Sequence, residues 1–337
     1  MKPESGRLSP LPSLLGVLLV SLCWGLGGPL SFAAVQNLSP AGATFGRCAF
    51  AFFGLIPFLL LDGPRLLRTL SGKGLALLFA SGTLLGVHFY FFIAGVAYAS
   101  LATAVMIVAV EPVLILVVGV IGFQERLTRP SIFGIFFCVL GVLLISALPR
   151  FLSGSDGVAP VASSTRGFGD LCAVLAVLTY AIYYALNRAL KPEELRLSLP
   201  GGPLRRGFAL ASIIYFFASL SSGALVLLTE NGSRGLSFSM EPGVWGALIA
   251  MGLIPTLLGH SLSQILSRIT HPVWISLMSP GETLMSLLIG RLFLSQVPGL
   301  PEAVGGSLIG IGVLITLRGE FKPTPPGNWV RIQPQDQ

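Results

Sequence analysis

The stretch LATAVMIVAVEPVLILVVGVIGFQERLTRPSIFGIFFCVLGVLLI, Leu101–Ile145, has a second copy in PVWISLMSPGETLMSLLIGRLFLSQVPGLPEAVGGSLIGIGVLIT, Pro272–Thr316. In the first copy an apolar run carries Glu111-Pro112 and ends at Glu125-Arg126. A turn at Arg129-Pro130 leads into a second apolar run that holds Gly134 and Gly141. With an offset of 171 (282 − 111), Glu111 falls on Glu282, Gly119 on Gly290, Pro130 on Pro301, Gly134 on Gly305 and Gly141 on Gly312, without a gap. Coincidences of Leu or Val mean little in so apolar a chain. A glutamate and a proline in register with three glycines point to an internal duplication, a common origin of transporter folds.

The surrounding sequence says where such a duplication can fold. Of 337 residues, 53% are hydrophobic and 10% charged, with a mean hydropathy of +0.83. A soluble domain carries about 25% charged residues, so the expected class is an all-α integral membrane protein. Ten apolar spans are predicted, near 13–35, 41–61, 74–97, 101–122, 131–149, 168–188, 208–229, 243–266, 272–294 and 301–318. Most are long enough to cross a ~30 Å hydrocarbon layer as helices. Lys2 and Arg7 ahead of an apolar run resemble a signal peptide. The run continues past Trp24 to about Val35, which is long for one, so an uncleaved first span is expected. The net charge of +7 is read as loop lysines and arginines facing the cytoplasm, not as a nucleic-acid surface. Cys23, Cys48, Cys138 and Cys172 lie in apolar runs without a C-x-x-C pair, so neither a disulfide framework nor a zinc site is expected.

The basic residues orient the chain. With both termini cytoplasmic, sixteen Lys and Arg fall on the inner side and three, Arg150, Arg166 and Arg234, on the outer side. The expected location is the inner membrane of the cell, multi-pass. Five spans in each half force the second half to enter the bilayer upside down, giving two inverted five-helix repeats. The expected division is 1–149 for the first repeat, 150–167 for a linker rich in Ser and Gly, 168–318 for the second repeat and 319–337 for a cytoplasmic tail.

Trp24-Gly25, Arg47, Glu111-Pro112 with Glu125, and the glycine-rich fifth and tenth spans together resemble the EamA-like ten-helix branch of the drug/metabolite transporter superfamily. The likeness runs to about Arg318. In the second half, Ser279-Pro280-Gly281-Glu282 is an unusual version of the pattern and Gln296 stands where the first half has Glu125. The resemblance implies inverted halves, a central cavity, and export or exchange of a small polar or amphipathic metabolite.

Candidate site residues follow from depth. Glu111 lies about 11 residues from the outer end of its span, roughly 16 Å deep and near the midplane. Glu282 lies equally deep in the ninth span. A midplane charge costs several kcal/mol unless paired or neutralised, and burial favours the protonated carboxyl. A carboxyl that gains and loses a proton as access alternates couples transport to a proton gradient. The plain alternative is a protonated carboxyl bonded to a backbone carbonyl freed by Pro112 or Pro280. Arg47, about six residues into the second span, is either the charge partner of a carboxylate or anionic solute, or a side chain that snorkels to the interface.

His88 and His260 are deep enough to relay protons or to line a cavity as hydrogen-bonding groups. Without a nearby Cys or Asp they are a poor metal set. Trp24 and Tyr180 occupy matching depths in the first and sixth spans and can wall a cavity; Tyr98 lies nearer a span end. Tyr183 and Tyr184 read as an inner aromatic belt, Asn187 and Gln264 as vestibule amides or packing groups, and Arg291 and His271 as interfacial. The substrate-binding candidates are therefore Trp24, His88, Tyr98, Glu111, Tyr180, His260 and Glu282. Glu282, Glu111 and His88 are the proton-coupling candidates. Gly82-x-x-x-Gly86 and Gly306-x-x-x-Gly310 are close-packing motifs, the second a possible dimer face.

No G-x-x-x-x-G-K-[ST] loop and no H-E-x-x-H motif occur. The expected function is a secondary active transporter that moves an amino acid, amine or drug-like solute outward by alternating access, in exchange for protons. It needs no cofactor or metal, and its partners are the solute and the bilayer. An uncoupled facilitator is the alternative, and an intramembrane enzyme a remote one.

Overall fold

The structure, a computed structural model, describes residues 10–123, 127–152, 163–190, 203–229, 241–270, 277–321 and 329–330. Glu125, His271, most of the 150–167 linker and of the 319–337 tail, and the start of the second copy at Pro272 lie outside the described residues. The described chain is almost wholly helical. Eight helical runs have the length and composition to cross a bilayer, and Leu300–Thr316 is a shorter apolar helix. The ninth span contributes Met278–Leu294, 17 residues, which covers roughly 26 Å. A two-residue antiparallel contact joins Leu127–Thr128 to Trp329–Val330.

Helix starts and breaks follow the local sequence. Ser39 opens the second span, Pro40–Thr69, by accepting from the Gly42 N–H at 2.9 Å, with Pro40 just inside. Ser71 does the same for Gly72–Tyr98, and Ser100 for Leu101–Val108. Among the described residues three spans are interrupted. The first runs as Pro10–Gly25 and Gly27–Ala34, the fourth as Leu101–Val108 and Glu111–Phe123. The eighth runs as Pro242–Met251, a π-helical segment Gly252–His260 and Ser261–Ile269. Pro29, Pro112 and Pro255 sit at these breaks, where a missing N–H leaves the carbonyl four residues back without its helical donor.

The packing is reciprocal. The second span pairs with the seventh, Pro203–Thr229, and the fifth, Arg129–Leu152, with the tenth, Leu300–Phe321. The sixth span, Ser163–Ala189, packs on the third and fourth, while the first packs on the eighth and ninth. The third meets the seventh, and the second meets the eighth. Exchanging spans one to five with six to ten maps each of these contacts onto another in the set. Residues 171 apart even touch one another: Cys138 Sγ donates to the Ile309 carbonyl at 3.6 Å and Ser279 Oγ to the Val108 carbonyl at 3.2 Å. Such self-contacts arise where a two-fold axis passes.

The duplicated glycines show why they are glycines. Gly134 backs onto Gly312 and Gly141 onto Gly305, so the fifth and tenth spans run antiparallel. A Cβ at Gly312 would stand 2.6 Å from the Gly134 oxygen, and one at Gly305 2.6 Å from the Gly141 oxygen. Gly82 and Gly86 pack the third span on the backbone of Ile214 and Ala218 in the seventh. In the tenth span, Gly306 meets Met106 within the fold, while Gly310 faces open space. Large apolar side chains such as Leu15, Leu22, Phe136 and Leu314 are exposed around the bundle, as lipid contact requires.

Because the glycine crossing has no spare room, Gly312→Val should lower the thermal midpoint in detergent, with a cost of about 1–3 kcal/mol from overpacking. Gly310→Val should leave the midpoint unchanged. Equal behaviour of the two variants would contradict the crossing.

Candidate functional site

The interrupted spans converge on one cavity. It is lined by Trp24, Gly27, Arg47, His88, Phe92, Val108, Glu111, Tyr180, His260 and Glu282. Irregular backbone at membrane depth is tolerated where it borders such a cavity. The space open to the centres of water-sized molecules is about 20 Å³, enough for one or two waters. An organic solute therefore needs the site to widen.

Arg47 is held on two sides. Its Nε donates to Thr256 Oγ1 at 2.6 Å, and its guanidinium carbon lies 3.7 Å from the centre of the Phe89 ring. It is 3% exposed, so snorkelling is excluded. Thr256 is free to accept because of Pro255. Without a proline N–H, the Met251 carbonyl loses its α-helical donor; the segment runs in π register, and Thr256 Oγ1 also donates to that carbonyl at 2.7 Å. Tyr215 then donates its hydroxyl to the Thr256 carbonyl at 2.9 Å. Arg47 Nη1 has no hydrogen-bond partner among the described residues.

The carboxyls differ. Glu111 opens the second piece of the fourth span and is buried; Glu282 is half-buried in the ninth. Pro112 frees the Val108 carbonyl, but the Ser279 hydroxyl satisfies it. Glu111 is thus not needed for that carbonyl, and Ser279 also lies in hydrogen-bonding reach of its carboxyl. Arg47 acts electrostatically on Glu282 across the cavity.

Aromatic groups form the remaining wall. Trp24 lies edge-on to Tyr180, with centroids 6.3 Å apart, and tilts against His260 at 4.9 Å. His88 lies 5.0 Å from Tyr180. His88 Nδ1 is 2.9 Å from the Ala176 carbonyl. A carbonyl only accepts, so Nδ1 carries a proton and the neutral ring presents Nε2 as an acceptor. Trp24 Nε1 is a second buried donor without a partner among the described residues.

Of the residues singled out from sequence, Trp24, Arg47, His88, Glu111, Tyr180, His260 and Glu282 meet here. Tyr98 does not. It ends the third span, half-buried, with its ring 5.6 Å from Phe168, because the span end carries it toward the start of the sixth. Tyr183 is buried rather than part of an aromatic belt. Its ring packs 5.6 Å from Tyr180 and its hydroxyl accepts from Gln264 Nε2. Asn187 donates to the Tyr183 carbonyl at 2.9 Å, and Arg291 is exposed. Sequence reasoning missed Phe89, Thr256 and Ser279. The available signal was a hydroxyl beside a proline, in Pro255-Thr256 and Ser279-Pro280.

Two ion pairs tie opposite ends of the bundle. Arg205 binds Asp62 through both nitrogens, at 2.8 and 2.6 Å. At the other end Glu302 accepts from Arg166 at 3.0 Å and from Thr103 at 2.9 Å.

Comparison with known proteins agrees with this architecture. Residues 11–147 match the EamA-like transporter family. An uncharacterized transporter of Bacillus subtilis (strain 168), YxxF, is 24% identical over 294 residues, 85% of this chain and 84% of its own length. An uncharacterized transporter of Archaeoglobus fulgidus is 24% identical over 297 residues, 88% of this chain and 95% of its own. A solved crystal structure superposes on 93% of this chain and 100% of its own with a TM-score of 0.58 at 18% identity, a likeness of fold. The first half of the chain thus matches the EamA-like transporter family, and the relatives that span most of the chain carry the name transporter. The chain is a multi-pass membrane transporter.

Thr256 joins the proline break to the buried cation. Thr256→Val should strand Arg47 Nε and remove one of the donors to the Met251 carbonyl, at a cost of about 1–3 kcal/mol. A fall in the detergent melting temperature, restored by Thr256→Ser, is the expected outcome. An unshifted Thr256→Val melt would contradict this anchoring.

Proposed function

We propose that the protein is a secondary active transporter that exports or exchanges a small organic metabolite by alternating access, coupled to protons through Glu282 beside Glu111. The observation that supports this reading is the meeting of two carboxyls, one from each half of the chain, with Arg47 in one cavity. A buried carboxyl that is neutral on one side of the cycle and ionised on the other is a proton carrier. The halves, 1–149 and 168–318, rock about the glycine crossing and the proline breaks, with 150–167 as linker. Both termini face the cytoplasm in the inner membrane.

Purified protein in liposomes separates coupled from uncoupled carriage. Wild-type protein should accumulate solute when a pH gradient is imposed. Glu282→Gln should lose that accumulation while retaining solute-for-solute counterflow. Accumulation indifferent to the pH gradient in both proteins would establish an uncoupled facilitator instead.

A further inference from the structure

The carboxyls taken alone suggest exchange of a solute for protons. Arg47 in the same cavity changes the charge count. Every charged or titratable group that lines the cavity is named: Arg47, Glu111, Glu282, His88, His260 and Tyr180. A further charge at the midplane is costly, so Tyr180, His88 and His260 enter the count as neutral groups, with His88 Nδ1 committed to a carbonyl. The Ser279 hydroxyl gives its proton to the Val108 carbonyl, so toward Glu111 it can only accept, which pairs it with the protonated acid. That leaves one permanent cation, Arg47, and one variable anion, Glu282.

A net charge at the midplane costs several kcal/mol, so the states that cross are those in which the cavity sums to zero. The empty cavity sums to zero when Glu282 is ionised opposite Arg47. A cavity holding a solute carboxylate sums to zero only when Glu282 has taken a proton. The wall is also prepared for that carboxylate. Two buried donors, Arg47 Nη1 and Trp24 Nε1, have no hydrogen-bond partner among the described residues. They belong to residues 3% and 6% exposed, both on the cavity wall. Unpartnered buried donors are costly, and a carboxylate oxygen is the acceptor that suits a guanidinium and an indole N–H together.

We infer that the solute is a monocarboxylate, bound through Arg47 and Trp24, and that it crosses together with one proton carried by Glu282. This rests on the reading of the cavity as a transport site, and it sets the sense of coupling. On binding, a proton from the aqueous side adds to a Glu282 carboxylate oxygen and the solute carboxylate takes its place as counterion of Arg47. On release, solute and proton leave to the same side. No proton moves in the opposite direction.

The test is calorimetric titration of the purified full-length protein with pyruvate, lactate, benzoate and phenylacetate, against benzamide and benzylamine, in buffers of different ionisation heat. At least one acid should bind with uptake of about one proton per molecule, and benzamide and benzylamine should bind more weakly. Arg47→Lys, which keeps the charge and loses the fork, should weaken acid binding about 10-fold or more. Glu282→Gln should abolish the proton uptake while retaining acid binding. Acid binding without proton uptake, or tighter binding of benzamide or benzylamine than of every acid, would overturn the inference. If those other solutes are nevertheless carried in liposomes and depend on Glu282, the transport reading stands without it. If no solute of any charge binds or is carried, both fail.

Discussion

A guanidinium held in the middle of an apolar bundle sets the terms for everything around it. Arg47 cannot shed its proton, so the protein must supply acceptors, a π-face and a counter-charge at membrane depth. The Thr256 hydroxyl, the Phe89 ring and the Glu282 carboxyl supply them. The first of these lies where Pro255 interrupts the eighth span, its own proton given to the Met251 carbonyl. Helix irregularity and charge stabilisation are therefore one device: the break that costs a backbone hydrogen bond positions the hydroxyl that steadies the cation.

The fourth span repeats the logic at Pro112. There the released Val108 carbonyl is taken by Ser279 of the ninth span, its counterpart 171 residues away. Because a serine from the other half closes that gap, Glu111 is spared a structural duty. The same reciprocity governs the lipid-side pairing of the fifth and tenth spans, where glycines from each copy admit the backbone of the other. A duplicated sequence folded upside down on itself brings matching positions together near its axis. That is where a site shared by both halves must lie.

Much of this was legible in the residues. Hydropathy predicted helices wherever the described residues show them, and the register of Glu111 with Glu282 and of the glycines anticipated contacts between the halves. Depth along a helix picked out six side chains that share one cavity, Trp24, His88, Glu111, Tyr180, His260 and Glu282. Tyr98 falls outside it, because it ends the third span beside Phe168. Depth also left Arg47 undecided between cavity and interface, since six residues of depth is compatible with both until the neighbouring helix is known. Thr256 and Ser279 were missed for a related reason. Their role is to satisfy carbonyls that proline releases, and Ser279 does so on a helix 171 residues away, a partnership no local pattern reveals.

The central claim is that the cavity around Arg47 is an aqueous site reached in turn from each face of the membrane. Its most direct measurement is the labelling of Val108→Cys by a membrane-impermeant thiol reagent, applied separately to right-side-out and inside-out vesicles, with the four buried native cysteines as the wild-type background. The account predicts labelling above that background from both faces, slowed in each case by transported solute. A cysteine at 108 that stays unlabelled from both faces while the protein is folded and active would contradict it.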